Sequence, residues 1–385
     1  MKVVSPEPRV SRSPADYRSQ AAAGFVPTRI VLAKGSNTSA TRRRLAGAIC
    51  AAYPEAEVVE ALDTAHNRLR LASVTPLERH GEGKQTLVLA EHRSAVRLSA
   101  ERGNTCPNYW HFSPYGFCPY GCAYCYLAGT QGVWFSPTVK VFVNLPEILA
   151  EVDAVARRLR EPAAFYLGKL QDGLALDPLT GYSRQMVPFF ADHPLARLTL
   201  LTKSADVDNL LGLDHRGHSA LSWTLSPQAV VEVFEPNTPP LEARLQAMEA
   251  CSEAGYPVRA VVMPILPVPD WESVYDQFLR NVLRRVRLSR LTLGSICSYP
   301  QAVRLTEQKL GRDNLISARL AAGRPVGTDR RRRFPRELRR RIYAHLLRVI
   351  RGVDAELEVG LCLEVPEMLD GLGMNAGPNR CNCVW

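Results

Sequence analysis

The chain has 385 residues, of which 46% are hydrophobic and 22% are charged, as is typical of a globular enzyme. Its length is enough for one large domain or two smaller ones with a substantial core. The sequence has no apolar run of ~18 residues and no apolar segment near its N-terminus, so it predicts neither a membrane span nor a secretory signal. We therefore expect a cytoplasmic protein with no membrane partner.

The first hundred residues divide into a leader and a small α/β unit. Residues 1–24 are rich in Ser, Pro and Arg, and this composition predicts a disordered leader. Residues 25–100 are predicted to form an N-terminal α/β domain. Its strands are expected at TRIVLA, EAEVVEAL and QTLVLAEH, and its helix at SATRRRLAGAICAAY, which begins after a Ser cap.

Apolar strand patterns alternate with amphipathic helix patterns through most of residues 101–300. This alternation favours a parallel sheet curled into a partial (β/α)6, TIM-like barrel, in which chemistry gathers at the C-terminal ends of the strands. Residues 301–385 are predicted to form a C-terminal region with a basic hairpin, helix and tail. The six strand patterns are YWHFSPYG from residue 109, AAFYLG from 163, LTLLTK from 198, ALSWTLS from 220, VRAVVMPIL from 258 and LTLGSIC from 291.

The segment GFCPYGCAYCYLAGT, residues 116–130, places three cysteines in one loop after the first of these strands. Cysteines of a cytoplasmic protein are expected to be reduced, so the cluster indicates metal binding or catalysis. Three thiolates could bind zinc with a fourth ligand such as Cys106 or His111. Alternatively, they could hold three irons of a four-iron, four-sulfur cluster, which leaves one iron open to a reactant. The three cysteines are Cys118, Cys122 and Cys125.

The iron–sulfur interpretation is favoured by the pattern of the remaining cysteines. Zinc loops usually come as paired C-x2-C knuckles, whereas Cys381 and Cys383 near the C-terminus form a C-x-C. Cys50 and Cys251 lie in helix-like apolar patterns and are expected to pack in the core.

Positive charge is concentrated in one run. The chain carries a formal net charge of +10, and DRRRRFPRELRRR at residues 329–341 has eight arginines in thirteen positions. Like charges so close together repel unless a partner neutralises them, and a phosphate backbone would do so. A solvated surface is the alternative, so the run is a candidate DNA-binding segment.

The cysteine motif after the first strand resembles that of the radical S-adenosylmethionine superfamily. Further blocks, in the same order along the chain, are similar to the spore photoproduct lyase family. This resemblance implies a partial (β/α)6 barrel with flanking elements. The blocks are HNR at 66–68, KQTLVL at 84–89, CAYCYL at 122–127, DPLTG at 177–181, LTKS at 201–204, FEPNTPPLEARL at 234–245, EAGYP at 253–257 and P-I-L at 264–266.

The resemblance implies roles for particular residues. The three motif cysteines would ligate the cluster, and S-adenosylmethionine would bind its open iron. Tyr124 and Tyr126 match tyrosines proposed to relay a hydrogen atom, although aromatic packing is the simpler alternative. Lys203 matches a cofactor-contacting lysine, with a carboxylate as its natural partner. Asp172 and Ser226 fall near other cofactor-contacting positions, and each could instead cap a helix or turn. The basic run matches a DNA-binding hairpin, with Arg330, Arg331, Arg332 and Arg333 as DNA contacts and Phe334 as a wedge.

The implied reaction is the reversal of a thymine dimer in ultraviolet-damaged DNA. The cofactor would yield a 5′-deoxyadenosyl radical after reduction by an electron donor such as flavodoxin or ferredoxin, and this radical would take a hydrogen atom from the lesion. A dimer inside a duplex must be flipped out to reach such a site. Two alternatives remain: a radical enzyme acting on RNA or a small molecule, and a non-catalytic iron–sulfur DNA-binding protein.

One position departs from the family pattern. A cysteine at the end of the second barrel strand returns a hydrogen atom to the product in the family, but this chain has FYLGKLQDG, with Gly168 or Lys169 at that place. Either Tyr126 or Cys297 takes over this step, or the substrate differs. The tail NRCNCVW could also supply a thiol, although a frayed terminus is the simpler interpretation.

Overall fold

The computed structural model describes residues 19–101, 103–321, 331–374 and 379–385. Its strands are β1 (Arg29–Ala33), β2 (Glu57–Ala61), β3 (Thr86–Ala90), β4 (Val96–Ser99), β5 (Tyr109–Phe112), β6 (Tyr115–Gly116), β7 (Val139–Phe142), β8 (Ala163–Leu167), β9 (Ala196–Thr202), β10 (Ser219–Thr224), β11 (Val258–Ile265), β12 (Arg290–Ser295), β13 (Cys297–Ser298), β14 (Arg332–Arg333) and β15 (Val359–Leu361).

Helices cover most of the segments between these strands. They are α1 (Ala40–Ala51), α2 (Pro76–Lys84), α3 (Gln131–Phe135), α4 (Leu145–Leu159), α5 (Asp177–Thr180), α6 (Ser183–Asp192), α7 (Gln228–Phe234), α8 (Leu241–Glu253), α9 (Trp271–Arg285), α10 (Pro300–Leu310), α11 (Leu315–Ala321), α12 (Arg336–Arg351) and α13 (Pro366–Asp370).

The N-terminal sheet has five strands in the order β2-β1-β3-β7-β6. Strands β1, β2 and β3 lie where the apolar patterns predict strands, and β1 pairs in parallel with both β2 and β3. Helix α1 begins where expected, since the Ser39 side chain accepts a hydrogen bond from the backbone of Arg42. Strands β6 and β7 come from beyond residue 100 and complete this sheet. The sheet therefore crosses the predicted boundary between the first two domains.

The larger sheet has eight strands in the order β15-β12-β11-β10-β9-β8-β5-β4. All six predicted strands are present in it and pair in parallel, while β4 joins the edge antiparallel to β5. A further parallel strand, β15, pairs with β12. Within the described residues the two edge strands β4 and β15 do not pair with each other, so this sheet is open.

Burial explains why the strands of the larger sheet are so apolar. Every residue of β10 and β12 is buried, and amphipathic helices such as α4 and α9 cover the sheet with their apolar faces. Helix α12, which includes the second half of the arginine run, packs against α9. This arrangement leaves the C-terminal ends of the strands to form a functional site.

Both ends of the described chain are packed. Residues 1–18 of the predicted leader lie outside the described residues, but Ala22 is buried and its backbone N–H donates to the Tyr53 hydroxyl at 3.0 Å. The expectation of a frayed C-terminus is wrong. The Asn379 side chain bonds both backbone groups of Leu361, at 2.8 and 2.7 Å. The Arg380 carbonyl packs directly against Gly360. A Cβ atom at position 360 would lie only 2.1 Å from that carbonyl oxygen, so a larger residue would clash with the tail.

The described helices include none that is both long enough and apolar enough to cross a membrane.

Candidate active site

The cysteine loop lies directly after β6 and is held at several points. The backbone N–H of Gly121 donates to the Pro236 carbonyl at 3.0 Å, and that of Ala123 donates to the Phe234 carbonyl at 2.8 Å. From the other side, the Lys84 ammonium donates to the carbonyls of Cys118 and Tyr120, the latter at 2.7 Å. The loop is therefore held on one side by the end of α7 and on the other by the end of α2.

All three motif cysteines line one cavity of about 180 Å³, together with Lys203 and Asp172. The remaining walls come from the C-terminal ends of β9, β10 and β11 and from the segment after β12. The cysteine loop thus lies at the C-terminal ends of the strands, as the sequence predicts. Gln171 also lines this cavity, and its Oε1 atom is a buried acceptor with no hydrogen-bond partner in the described structure.

Lysine charges surround the three thiols. Burial raises the pKa of Cys122 to about 12, and the charge of Lys203 opposes this rise. Burial likewise raises the pKa of Cys118, while Lys84 opposes the effect. Metal ligands must be thiolates, and nearby cations favour that form. No three His, Cys, Asp or Glu side chains of the described residues already surround a single metal position, but three thiols sharing a cavity beside lysines fit an anionic iron–sulfur cluster.

A buried carboxylate, Glu235, organises the wall beside the thiols. It accepts hydrogen bonds from the hydroxyls of Tyr124 and, at 3.2 Å, Ser226. Arg244 donates to its other oxygen at 2.6 Å, and the Lys203 ammonium lies 3.9 Å away. Burial alone would raise the pKa of Glu235, but Lys203, Arg244 and these hydrogen bonds hold it below its ordinary value. Lys203 thus lies near a buried carboxylate of the protein itself.

Asp172 reaches the cavity but is already occupied by hydrogen bonds. Its Oδ1 accepts from the backbone of Leu174 and Ala175 and from the Thr202 hydroxyl at 2.6 Å. Its Oδ2 accepts from the backbone N–H of Lys203 at 2.7 Å. Asp172 therefore ties the loop after β8 to the end of β9, which positions Lys203.

Tyr126 separates the cysteine cavity from a second cavity of about 350 Å³ and lines both. Its hydroxyl donates to the Lys169 carbonyl at 3.1 Å. One side of the second cavity is charged: Glu101 lies 3.0 Å from the Lys169 ammonium and 2.9 Å from the Arg331 guanidinium, and Tyr299 completes that side. A molecule in the second cavity would lie beside whatever occupies the first.

The two residues at the position of the family cysteine differ in their surroundings. Gly168 has φ of +156°, and a Cβ there would lie 2.7 Å from the Leu201 Cβ and 2.9 Å from the Tyr166 hydroxyl. Lys169 instead directs its ammonium to Glu101 and Ser99. Cys297 lines the cysteine cavity. A side chain at position 169 therefore has room that one at 168 lacks.

Much of the arginine run is structural. Arg331 pairs with Glu101, while Arg333 donates to the Asn104 side chain at 2.8 Å and is 1% exposed. Phe334 is fully buried, in contact with the apolar cluster around Tyr124. Arg333 and Phe334 are not available to DNA in this conformation, Arg331 lines the second cavity, and Arg332 is half-buried. Arg330 lies outside the described residues.

Sequence reasoning missed several groups that shape the site. Glu235 and Arg244 both lie in the segment FEPNTPPLEARL, where a charged pair nine residues apart in apolar surroundings was an available signal. It also missed that Cys106, Cys362 and Cys383 line the second cavity, because their sequence separations give no local pattern.

The comparisons with known proteins agree with this geometry. The family model described as spore photoproduct lyase matches residues 25–294. A spore photoproduct lyase of a Geobacillus species is 32% identical over 239 residues, which cover 60% of this chain and 68% of that protein. The Bacillus subtilis spore photoproduct lyase is 30% identical over 222 residues, and the match covers 57% of this chain and 63% of that protein.

Solved structures show the same fold. A spore photoproduct lyase complexed with dinucleoside spore photoproduct superposes with a TM-score of 0.76 at 24% identity, covering 88% of this chain and 100% of that one. A spore photoproduct lyase mutant with bound AdoMet and dinucleoside spore photoproduct gives a TM-score of 0.74 at 24% identity, covering 87% of this chain and 98% of that one. With the family model matched across both sheets, this chain belongs to the spore photoproduct lyase family.

Proposed function

We propose that the protein is a radical S-adenosylmethionine lyase that reverses spore photoproduct or a related thymine dimer in DNA. The observation that carries this proposal is the pair of adjoining cavities that share Tyr126 as a wall. One holds three thiols and a lysine, and the other is larger and carries Glu101 between Lys169 and Arg331 on one side. Two adjacent compartments suit a reaction in which a cofactor and a lesion must lie side by side.

Within the first cavity, Cys118, Cys122 and Cys125 would hold three irons of a four-iron, four-sulfur cluster. When bound, the cluster and S-adenosylmethionine supply a hydrogen-abstracting radical, after reduction by a donor such as flavodoxin or ferredoxin. Lys203 would pair with the carboxylate of the cofactor. Gln171 offers that cofactor a buried acceptor.

Other residues near this cavity would act by position. Ser226 and Tyr124 both donate to Glu235, so they would orient the carboxylate that faces Lys203. Asp172 would hold the backbone of Lys203 in place. The eight-stranded sheet would correspond to the partial (β/α)6 barrel of radical enzymes, with the cofactor at its C-terminal edge.

Hydrogen return to the product needs a donor other than the absent cysteine. Tyr126 is proposed for this role because its ring borders both cavities and its hydroxyl already donates to the Lys169 carbonyl. Cys297 is the thiol alternative, since it lines the cysteine cavity. A thiol gives up a hydrogen atom more readily than a phenol, so a tyrosine donor would work more slowly.

DNA would be held through phosphate contacts by arginines that remain exposed. Arg336, Arg340 and Arg341 fulfil this condition, although Arg341 also pairs with Glu272 at 2.7 Å. Such contacts give affinity without reading sequence. A lesion would have to leave the duplex to enter the second cavity, and damage that weakens stacking lowers this cost.

The test is anaerobic reconstitution with iron and sulfide, followed by an assay of S-adenosylmethionine cleavage with ultraviolet-treated DNA, untreated DNA or RNA. Stimulation by the damaged DNA supports the proposal. Cleavage stimulated equally by RNA would indicate a different substrate, and a protein that binds DNA but never cleaves the cofactor would be a non-catalytic iron–sulfur protein.

A further inference from the structure

Four cysteines that play no part in the proposed reaction meet at the edge of the larger sheet. Cys106 lies in the loop before β5, and Cys362 follows β15 directly. Cys381 and Cys383 lie in the C-terminal tail. They come from three separate segments, with more than 250 residues between the first and the second.

These four thiols contact one another. The Cys106 side chain is hydrogen bonded to those of Cys362 and Cys381, and Cys381 is hydrogen bonded to Cys383. The Cys106 sulfur also accepts the backbone N–H of Leu363 at 3.3 Å. Cys381 is fully buried and Cys383 nearly so. The sulfurs therefore form one continuous group that is largely shielded from water.

The surroundings favour negative charge on these sulfurs. Arg290 donates to the Cys381 carbonyl at 2.9 Å, and Arg259 donates to the Val384 carbonyl at 2.7 Å. Both arginine side chains are buried. Arg259 forms no ion pair with an acidic side chain within the described residues, and its Nε atom has no acceptor there. Arg290 already pairs with Glu358 at 3.0 Å, but a buried cation such as Arg259 is costly unless a negative charge compensates it, and thiolates would do so.

Hydrogen bonds of Asn379 hold the C-terminal tail beside the other two cysteine-bearing segments. Asn379 bonds both backbone groups of Leu361, and its amide also donates to the Thr105 hydroxyl at 3.0 Å. The same side chain thus aligns the residues that precede Cys106, Cys362 and Cys381. An ordinary packed terminus does not require one amide to join three cysteine-bearing segments.

We propose that Cys106, Cys362, Cys381 and Cys383 form a second metal site, a tetrathiolate that binds one zinc-type divalent cation. Sulfurs around a tetrahedral zinc lie about 3.8 Å apart, given Zn–S bonds of about 2.3 Å, and this spacing suits thiols that already touch. A four-iron cluster would hold its sulfurs farther apart. Binding would release the thiol protons to solvent.

The side chains must still turn toward a common centre, because no three potential ligands of the described residues yet surround one metal position. All four cysteines lie in irregular segments, where such rotation is easy. Cys106, Cys362 and Cys383 also line the second cavity, so a bound ion would fix that wall and close the tail onto it. The site would then be structural, since all four positions of the ion are filled by protein.

The test uses the full-length chain with Cys118, Cys122 and Cys125 all replaced by Ala, so that its outcome is independent of the proposed function. Metal content is measured by plasma mass spectrometry after anaerobic purification. The apoprotein is then titrated with Co²⁺ and back-titrated with Zn²⁺. We expect one equivalent of zinc per chain, and a cobalt spectrum with intense sulfur-to-metal charge transfer and tetrahedral d–d bands.

Adding Cys381→Ser or Cys362→Ser should abolish zinc binding, whereas the matched controls Cys50→Ser and Cys251→Ser should retain it. Both controls replace packed cysteines outside the group. If a ligand variant does not fold, the cobalt spectrum of the parent protein alone tests whether thiolates bind the metal. A parent without bound zinc or cobalt, a cobalt spectrum lacking thiolate charge transfer, or four irons with acid-labile sulfide would each overturn the proposal.

Discussion

The guanidinium of Arg244 lies 2.6 Å from the carboxylate of Glu235, and both side chains are fully buried. The same carboxylate receives the hydroxyl of Tyr124 and faces the ammonium of Lys203. The buried Arg244–Glu235 ion pair thus holds the carboxylate that Tyr124 and Lys203 approach at the wall of the cysteine cavity. Changes to this pair should affect both stability and cofactor binding.

Glu235→Gln should destabilise the fold because it leaves Arg244 buried without its counter-charge. The expected loss in the free energy of unfolding is about 3 to 5 kcal/mol. The pKa of Glu235 is lowered in the folded protein, so its contribution is present above the ordinary glutamate pKa of about 4.3 and is lost as the pH falls through the folded value. Urea unfolding at several pH values measures both effects.

The matched control is Glu242→Gln, which removes an exposed carboxylate that pairs with Arg285. This variant should unfold nearly as the wild type does, because exposed ion pairs contribute little. An equal loss of stability in the two variants, or an unchanged acid profile for Glu235→Gln, would contradict the account.

Replacing Cys122 by Ala should remove most of the reconstituted iron, and Cys118→Ala and Cys125→Ala should do the same. Cys251→Ala should keep its iron, since this residue packs in the core. The measurement is iron and acid-labile sulfide per chain after anaerobic reconstitution. Full iron content in the Cys122→Ala protein would contradict the assignment of the cluster ligands.

Lys203→Ala should weaken S-adenosylmethionine binding about ten- to a hundredfold while iron content is unchanged. This range corresponds to a charge-assisted hydrogen bond of roughly 1.5 to 3 kcal/mol. Isothermal titration of the reconstituted protein gives the affinity, with exposed Lys34→Ala as the control. Equal affinities of the Lys203→Ala and Lys34→Ala proteins would reject the role.

The sequence predicted those parts of the fold that are encoded locally. The six predicted strands are largely buried apolar runs, so their positions could be read directly. The pattern YWHFSPYG, however, divides into β5 of the larger sheet and β6 of the N-terminal sheet, and the cysteine loop follows β6. What could not be read depends on contacts between distant segments. Strand β15 has only three residues, too few for a recognisable pattern, and it is a strand because it pairs with β12.

Charge patterns were more difficult to interpret than apolar ones. A dense arginine run predicts a solvated or DNA-binding surface, yet Arg331, Arg333 and Arg339 are buried beside Glu101, Asn104 and Glu364. Their partners lie up to 230 residues away in the sequence, so no local pattern predicts these contacts. The tail cysteines were misjudged for the same reason.

Arg333→Ala should therefore lower stability, while Arg336→Ala and Arg340→Ala should lower DNA affinity and leave stability nearly unchanged. Arg333 is buried and hydrogen bonded to the Leu363 carbonyl at 3.1 Å, whereas the other two are exposed. Each lost phosphate contact should reduce the slope of log K against log salt by about 0.9. Thermal unfolding and fluorescence anisotropy at several salt concentrations separate the two effects. An unaltered salt slope in the Arg336→Ala/Arg340→Ala protein would show that these arginines do not contact DNA phosphates.

Restoring a thiol near the second cavity should succeed at position 169 and fail at 168. A side chain at Gly168 would meet the Leu201 Cβ at 2.7 Å, so Gly168→Cys should lower the unfolding temperature. Lys169→Cys loses the ion pair with Glu101 but has space for its sulfur. Product analysis should show a higher yield of intact thymines for Lys169→Cys than for the wild type. A lower or equal yield would place the hydrogen donor elsewhere.

The most direct test of the proposed function is product analysis of dinucleoside spore photoproduct incubated with the reconstituted protein, S-adenosylmethionine and a reductant under anaerobic conditions. Mass spectrometry should detect 5′-deoxyadenosine together with restored thymines, formed more slowly or with by-products because the family cysteine is absent. Tyr126→Phe and Cys297→Ala identify the donor, since the variant that loses restored thymines while still forming 5′-deoxyadenosine lacks it. Formation of 5′-deoxyadenosine without any change in the lesion, in the wild type and in Lys169→Cys, would contradict the proposal and assign the protein a different substrate.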